Sequence, residues 1–160
     1  MHLAELLEGR AIAGFYTQEI RKGGQRWGFG VRTLSQHEGI LSSVDLKEGP
    51  SVGRYRVDVD GFERLVLAEL NQPAERVAIY LIDEIGKMEC FSRAFVESVR
   101  RLLATERSLV ATVAQKGAGF IEEVKAYPGT ETIEVTLANR GQLPGRLARR
   151  LLSAGLAGGS

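Results

Sequence analysis

Residues Val77 to Glu89 read VAIYLIDEIGKME, an apolar run that ends in two adjacent carboxylates, a glycine and a lysine. Five of the six residues Val77 to Ile82 are aliphatic and the sixth is Tyr80, so both faces of the segment are apolar. That pattern predicts a central strand in a parallel sheet covered on both sides. Asp83 and Glu84 then emerge at its carboxyl end, the edge at which open α/β sheets bind ligands. Hard oxygen ligands suit Mg2+, which takes only one or two carboxylates from the protein. The neighbouring pair allows two tasks: Asp83 holds the metal or its water shell, and Glu84 polarises an attacking water. The plainer alternative is a buried strand followed by a solvated turn, because short motifs also arise by chance.

Working outward, a helical fragment is predicted at 2–8, with Leu3, Leu6 and Leu7 on one face and Gly9 as a C-terminal cap. Strands follow near 11–16, 18–22, 26–34 and 39–44, with Gly23-Gly24 as a hairpin turn, so residues 16–44 read as an antiparallel insertion. Further on come a strand near 54–58, a helix near 61–71, the central strand at 77–83, and a helix at 92–105 with Phe95, Val99 and Leu102 at helical spacing. A strand at 108–113, a helix near 119–126, a strand at 131–136 and a terminal helix near 139–153 complete the pattern. Alternation of strand and helix through the second half predicts βαβ units and a mainly parallel sheet. Residues 1–153 read as one domain and 154–160 as a flexible tail.

Composition suits a single α/β domain: 160 residues, 44% hydrophobic and 26% charged, close to average globular usage. Twenty-one Lys and Arg against 20 Asp and Glu give a net charge of +1, which argues for neither a nucleic-acid nor a membrane partner. The single cysteine, Cys90, cannot form an intramolecular disulfide and is read as packing, so a cytoplasmic, reducing compartment is expected. No apolar run is long enough to span a membrane. His2 and His37 read as lone histidines, without a partnered nucleophile. Trp27 reads as a cover for the sheet more readily than as a stacking platform for a base.

The longer string DEIGKME, followed by Cys90 and Phe91, is similar to the Walker B segment of the THEP-type nucleoside triphosphatases, the family that includes the cancer-related nucleoside triphosphatase. Ala13 to Arg21, AGFYTQEIR, resembles that family's GFYTEE(I/V)R segment, and Gly53 to Asp58 followed by Phe62-Glu63 resembles its GxYxVxxxxFE segment. Val110 to Val113 resembles the strand after the Walker B helix, and Thr136 to Arg140 the closing T-x-E-N-R-D motif. The resemblance implies a RecA-like P-loop NTPase of three layers that hydrolyses ATP, GTP and related nucleotides with Mg2+. It implies a nucleotide site drawn from Asp83, Glu84, Ile85, Gly86, Lys87, Arg21, Asn139 and Arg140, with Asp83 as metal ligand and Glu84 as the catalytic carboxylate. Arg21 reads equally well as a hairpin charge, and Asn139 as a helix cap. Ala138, Gly141 and Gln18 stand where the family tends to carry acidic residues, so base preference does not transfer.

No G-x-x-x-x-G-K-[ST] string occurs in these residues. Gly49 to Tyr55 has three residues between its glycines, then an arginine and a tyrosine, and does not qualify. Residues 2–8 resemble the back half of the helix that follows a P-loop. The expectation is therefore a fold without its first strand and phosphate loop, with a groove beside the Walker B strand that a partner or second copy could fill, and impaired turnover. A nucleoside or nucleotide kinase and a non-catalytic binding domain are the alternative functions.

Overall fold

The computed structural model describes residues 2–157. Its centre is β6 (Ile79–Ile85), flanked by β1 (Ile12–Lys22) and β7 (Ser108–Val113), both parallel to it. The apolar run divides by alternation between two faces. Tyr80 and Ile82 join the larger core with α2 (Val59–Leu70), α3 (Arg93–Leu103) and α4 (Phe120–Ala126). Ile79 and Leu81 pack instead with Leu3 of α1 (His2–Leu6), with Leu7 beyond it, and with Ala148, Leu151 and Leu152 of α5 (Leu143–Ala157). Helices thus cover both sides of the sheet, giving a three-layer α/β fold. Phe15, Phe62 and Phe95 meet edge to face at centroid distances of 5.4–5.8 Å and lock β1, α2 and α3 together.

From β1 the sheet continues antiparallel through β2 (Gln25–Thr33), β3 (Glu38–Ser43), β5 (Tyr55–Val57) and the short edge strand β4 (Ser51–Val52). The spatial order is β4-β5-β3-β2-β1-β6-β7. Gly23 and Gly24 turn the β1–β2 hairpin with φ of 55° and 77°, the paired positive φ of a primed turn. Local caps fix the helices: the Asp58 carboxylate accepts the Gly61 N–H at 2.8 Å to start α2, and Ser92 Oγ accepts the Phe95 N–H at 2.9 Å to start α3. The Ser92 hydroxyl also donates to Glu63 at 2.6 Å, tying α3 to α2.

Four expectations are corrected. Residues 11–16 and 18–22 form one continuous strand, because nothing between them breaks the backbone; Ile12 to Tyr16 pair with β6 and Phe15 to Lys22 pair with β2. Residues 131–136 form no strand, since a strand needs a ladder for its backbone groups and none is made there; Val135 and Leu137 stand 59% and 82% exposed. Among the described residues no groove opens directly beside the central strand, as β6 is paired on both sides; the free edge on that side of the sheet belongs to β7. Finally, α5 begins at Leu143 and runs to Ala157, so residues 154–157 continue a helix in place of the expected tail, consistent with the helix preference of Ala and Leu; residues 158–160 lie outside the described residues.

Candidate functional site

Parallel pairing places the carboxyl ends of β1, β6 and β7 side by side. Tyr16 of β1 is level with Asp83 of β6, and Thr112 of β7 reaches across to donate its hydroxyl to Asp83 Oδ1 at 2.5 Å. The second carboxylate oxygen, Oδ2, has no protein donor among the described residues. A small cavity of 100 Å3 opens here, lined by Leu3 and Ala4 of α1, Leu81, Asp83, Val110 and Thr112. Among the described residues no group of three or more His, Cys, Asp or Glu side chains gathers to hold a metal. That donor set fits Mg2+, which is commonly bound by one or two carboxylates together with substrate phosphates and water, and it does not fit a metal caged wholly by protein.

Beyond Asp83 the chain turns sharply. The Asp83–Glu84 peptide is cis, and the β6–β7 register skips from Ile82 to Ile85. Ile85 is fully buried and continues the core, so its side chain is out of reach of a nucleotide. Gly86 follows with its amide donating to the Glu89 carboxylate at 3.1 Å and its carbonyl accepting the Cys90 N–H at 3.1 Å. The Glu84 side chain faces a second, larger cleft of 370 Å3, shared with Thr17, Phe29, Lys87, Glu89 and Lys116. Partial burial, and secondly the Asp83 charge, raise the proton affinity of Glu84. Glu89 is only 3% exposed; burial first, and the nearby Glu84 and Asp83 charges next, push its pKa up to about 7. Burial and the Glu89 charge push the Cys90 thiol up to about 11, which suits packing and not nucleophilic chemistry.

The sequence compares directly with known proteins. A family described as NTPase matches residues 1–148. Nucleoside-triphosphatase THEP1 from Thermotoga sp. strain RQ2 is 36% identical over 141 residues, spanning 88% of this chain and 80% of that protein. The cancer-related nucleoside-triphosphatase of Homo sapiens is 39% identical over 150 residues, spanning 84% and 78%. The chain belongs to the nucleoside-triphosphatase family. In three dimensions, the crystal structure of THEP1 from Aquifex aeolicus superposes with a TM-score of 0.83 at 32% identity, covering 94% of this chain and 90% of that one.

Against this family frame, the residues singled out in the sequence do not all converge. Asp83, Glu84, Gly86 and Lys87 follow one another at the end of β6, Asp83 lining the smaller cavity and Glu84 and Lys87 the larger cleft; Lys87 makes no ion pair among the described residues. Arg21 lies elsewhere. It is five residues along β1 from Tyr16, roughly 16 Å at strand rise, and it is engaged by Glu19 Oε1 at 2.7 Å and the Gly24 carbonyl at 2.6 Å. Asn139 and Arg140 lie in a turn before α5. The Asn139 side chain accepts the Thr136 N–H and donates to the Glu134 carbonyl, both at 2.8 Å, so it pins the preceding segment instead of capping a helix. Its backbone carbonyl accepts the Leu143 N–H at 2.9 Å. Trp27 donates to Asp45 at 2.6 Å with the Lys22 ammonium 3.4 Å over its ring, which makes it part of the sheet surface.

His37 is not partnerless: its Nδ1 lies 3.0 Å from Ser35 Oγ, and that hydroxyl also bonds the buried Glu69. The serine stands between the histidine and the acid, so no proton relay of nucleophile, base and acid is formed. Thr112 and Glu89 are the residues the sequence reading missed. Thr112 is the one polar residue in the run Leu109 to Val113, a signal on an otherwise apolar strand beside Asp83. Glu89 closes the family-like string DEIGKME, but its burial has no signal there, because only the turn at Gly86 folds it back inside.

Proposed function

We propose that this chain binds nucleoside triphosphates such as ATP and GTP as their Mg2+ complexes at the carboxyl ends of β1, β6 and β7, and hydrolyses them to the diphosphate and phosphate. The observation that carries the reading is the placement of Asp83 and Glu84 together at that edge, with Thr112 fixing the Asp83 carboxylate. When bound, Mg2+ would neutralise charge on the phosphoryl oxygens. Asp83 would be its protein ligand, and the Thr112 hydroxyl, which donates to Oδ1, leaves Oδ2 free for that task. Glu84 orients a water and takes its proton while the water oxygen attacks the γ-phosphorus and the bond to the β,γ-bridging oxygen breaks. Lys87 and Lys116, on the rim of the adjoining cleft, supply positive charge toward the departing phosphate.

Positioning supplies nearly all of phosphoryl-transfer catalysis, and these 160 residues contain no G-x-x-x-x-G-K-[ST] string. Turnover by the chain as written is therefore slow. We place it in the cytoplasm, a reducing compartment that suits a single unpaired cysteine. The 370 Å3 cleft beside Glu84 favours one other reading, a kinase that passes the γ-phosphate to a hydroxyl bound there.

The test is a titration of MgATP and MgGTP into the purified chain, followed by Trp27 fluorescence and calorimetric heat, with phosphate release measured at the same concentrations. Saturable binding weakened by Asp83→Asn is expected, with release well under ~1 s−1 that Glu84→Gln abolishes. Absence of binding to either nucleotide overturns the reading. Release at ordinary enzymatic rates, lost in both variants, keeps the site and overturns the slow turnover. Transfer to a nucleoside faster than release of free phosphate selects the kinase.

A further inference from the structure

Gly86 lies between two carboxylates. A methyl group placed on it would stand 2.5 Å from Glu84 Oε1 and 2.9 Å from Glu89 Oε2, distances that real Cβ atoms do not reach. Gly86 has no positive φ to explain its identity; what a side chain there would meet is the two carboxylates, which it would have to push apart. Both polar groups of the Gly86 residue are held from inside the turn, its N–H by the Glu89 carboxylate and its carbonyl by the Cys90 N–H. Glu89 itself is fixed by burial and by the short helical turn Glu89–Phe91, in which its carbonyl accepts the Ser92 N–H at 3.0 Å. Ser92 then starts α3. A continuous chain of contacts therefore runs from the N-terminus of α3 through Glu89 and Gly86 to Glu84.

We propose that Glu89 is the positioning residue for Glu84: its inward-facing carboxyl clamps the Gly86 amide and so sets where the Glu84 carboxylate stands in the cleft. The role deepens the hydrolase reading given above and rests on it. A buried acid is a costly way to fill space, and an apolar side chain would pack there without the desolvation cost. What a carboxyl adds is an acceptor for one amide in the turn that presents the acid. Misplacing a catalytic group by about 1 Å can cost ~10^2-fold in rate, so a clamp one turn away has a direct kinetic consequence. Asp83, Glu84 and Cys90 are the ionisable groups whose charge acts between this turn and Glu89, and Lys87 and Lys116 line the same cleft.

The experiment compares Glu84→Gln, Glu89→Leu, Glu89→Gln and Gly86→Ala in the whole chain. Single-turnover phosphate release and nucleotide affinity are measured, together with the Gly86 amide proton followed by NMR across pH. The expected result is that Glu89→Leu lowers the rate by ~10-fold or more with affinity unchanged, while Glu89→Gln, which keeps an acceptor for the amide, stays within ~3-fold of the parent. The Gly86 amide should shift with a midpoint near 7 in the parent and stay flat in Glu89→Gln. If Glu84→Gln is inactive and Glu89→Leu keeps the parental rate, the positioning role is overturned and the hydrolase reading stands. If Glu84→Gln keeps the parental rate, the hydrolase role of Glu84 fails, and a Gly86 amide that ignores pH then overturns the clamp by itself. Should Glu89→Leu not fold, Gly86→Ala takes its place, because its methyl separates the same two carboxylates; a parental rate in that variant overturns the proposal.

Discussion

The three parallel strands and the antiparallel extension are built from the same kinds of charged residue and treat them in opposite ways. In the extension, charges on the β1–β2 and β2–β3 ladders are paired across strands. Glu19 is held by Arg26 and Arg21, which bring its carboxyl below the usual range, and Arg32 meets Glu38 at 3.2 Å. At the end of β6 they are not: neither Glu84 nor Glu89 has an ion-pair partner among the described residues, and both are shifted toward the protonated form. A matched charge completes the fold that holds it. Acids left without cations at a sheet edge keep their capacity for an external ligand, and the difference between the two regions locates the site more sharply than any count of charged residues.

The two regions also differ in why they need glycine, and here the largest effect is expected. Gly14 has φ of 134° and sits against β6, where an added Cβ would lie 1.8 Å from the Leu81 carbonyl oxygen; its amide donates to the buried Glu69 at 3.1 Å. Gly14→Ala should therefore cost more than ~4 kcal/mol and leave little folded protein. Gly24, in the hairpin at φ 77°, has nothing within 4 Å, and Gly24→Ala should cost only ~1 kcal/mol. Denaturant melts of the two variants check the contrast. Equal costs would mean that the close parallel contact at Gly14 can relax to admit a side chain.

Sequence patterning made the parallel core legible because the apolar run at Val77 to Ile82 has no alternative to burial on both faces, and the helices after it carry clear periodicity. The hairpin at Gly23-Gly24 was equally plain. What stayed hidden depends on partners distant along the chain. Residues 131–136 have the alternation of a strand, yet Ile133 and Val135 find no ladder, and alternation by itself cannot supply one. Asp83 and Glu84 could be read from their position at a strand end. Thr112 and Glu89 could not be assigned roles, since the first acts across 29 residues and the second depends on a turn whose shape rests on a glycine squeezed between carboxylates. Arg21 shows the reverse case: of the two roles open to it in the sequence, the hairpin contacts with Glu19 and the Gly24 carbonyl are the ones this structure makes.

An intermediate effect is expected from pH, with opposite signs in the two regions. Glu89 rises from 4.5 to about 7 on folding, so between those values the folded chain keeps a proton that the unfolded chain releases. Its contribution is fully present below pH 4.5 and is lost as the pH climbs through 7, a decline of ~3 kcal/mol. Glu19, held below 4.5 by Arg26 and Arg21, contributes above its unfolded pKa and loses that contribution as the pH falls. Unfolding free energies at pH 5 and pH 8 should show Glu89→Gln losing ~2.5 kcal/mol less than the parent over this interval. Glu84 and Asp83 act in the same direction as burial on Glu89, so Glu84→Gln should reduce the slope without removing it. A parent and a Glu89→Gln variant with identical slopes would show that Glu89 is ionised in the fold and that the contrast with Glu19 does not hold.

The smallest effect belongs to Arg21, and its smallness is informative. An arginine that stabilises charge on a transferring phosphoryl group is worth ~10^3-fold or more in rate, and its loss leaves the fold untouched. An arginine held by Glu19 and the Gly24 carbonyl does the reverse on a minor scale: exposed ion pairs contribute little, and Glu19 keeps Arg26 when Arg21 is removed. Arg21→Ala should therefore shift Tm by no more than ~2 °C and change phosphate release less than ~2-fold, with nucleotide affinity unaltered. A large fall in rate at constant Tm would place the guanidinium at the phosphates. Because Arg21 stands some five residues up β1 from the level of Asp83, that outcome would require the hairpin to fold down over the β6 edge on binding, and the sharp division between a charge-matched extension and an unmatched site would give way to a site that both regions build together.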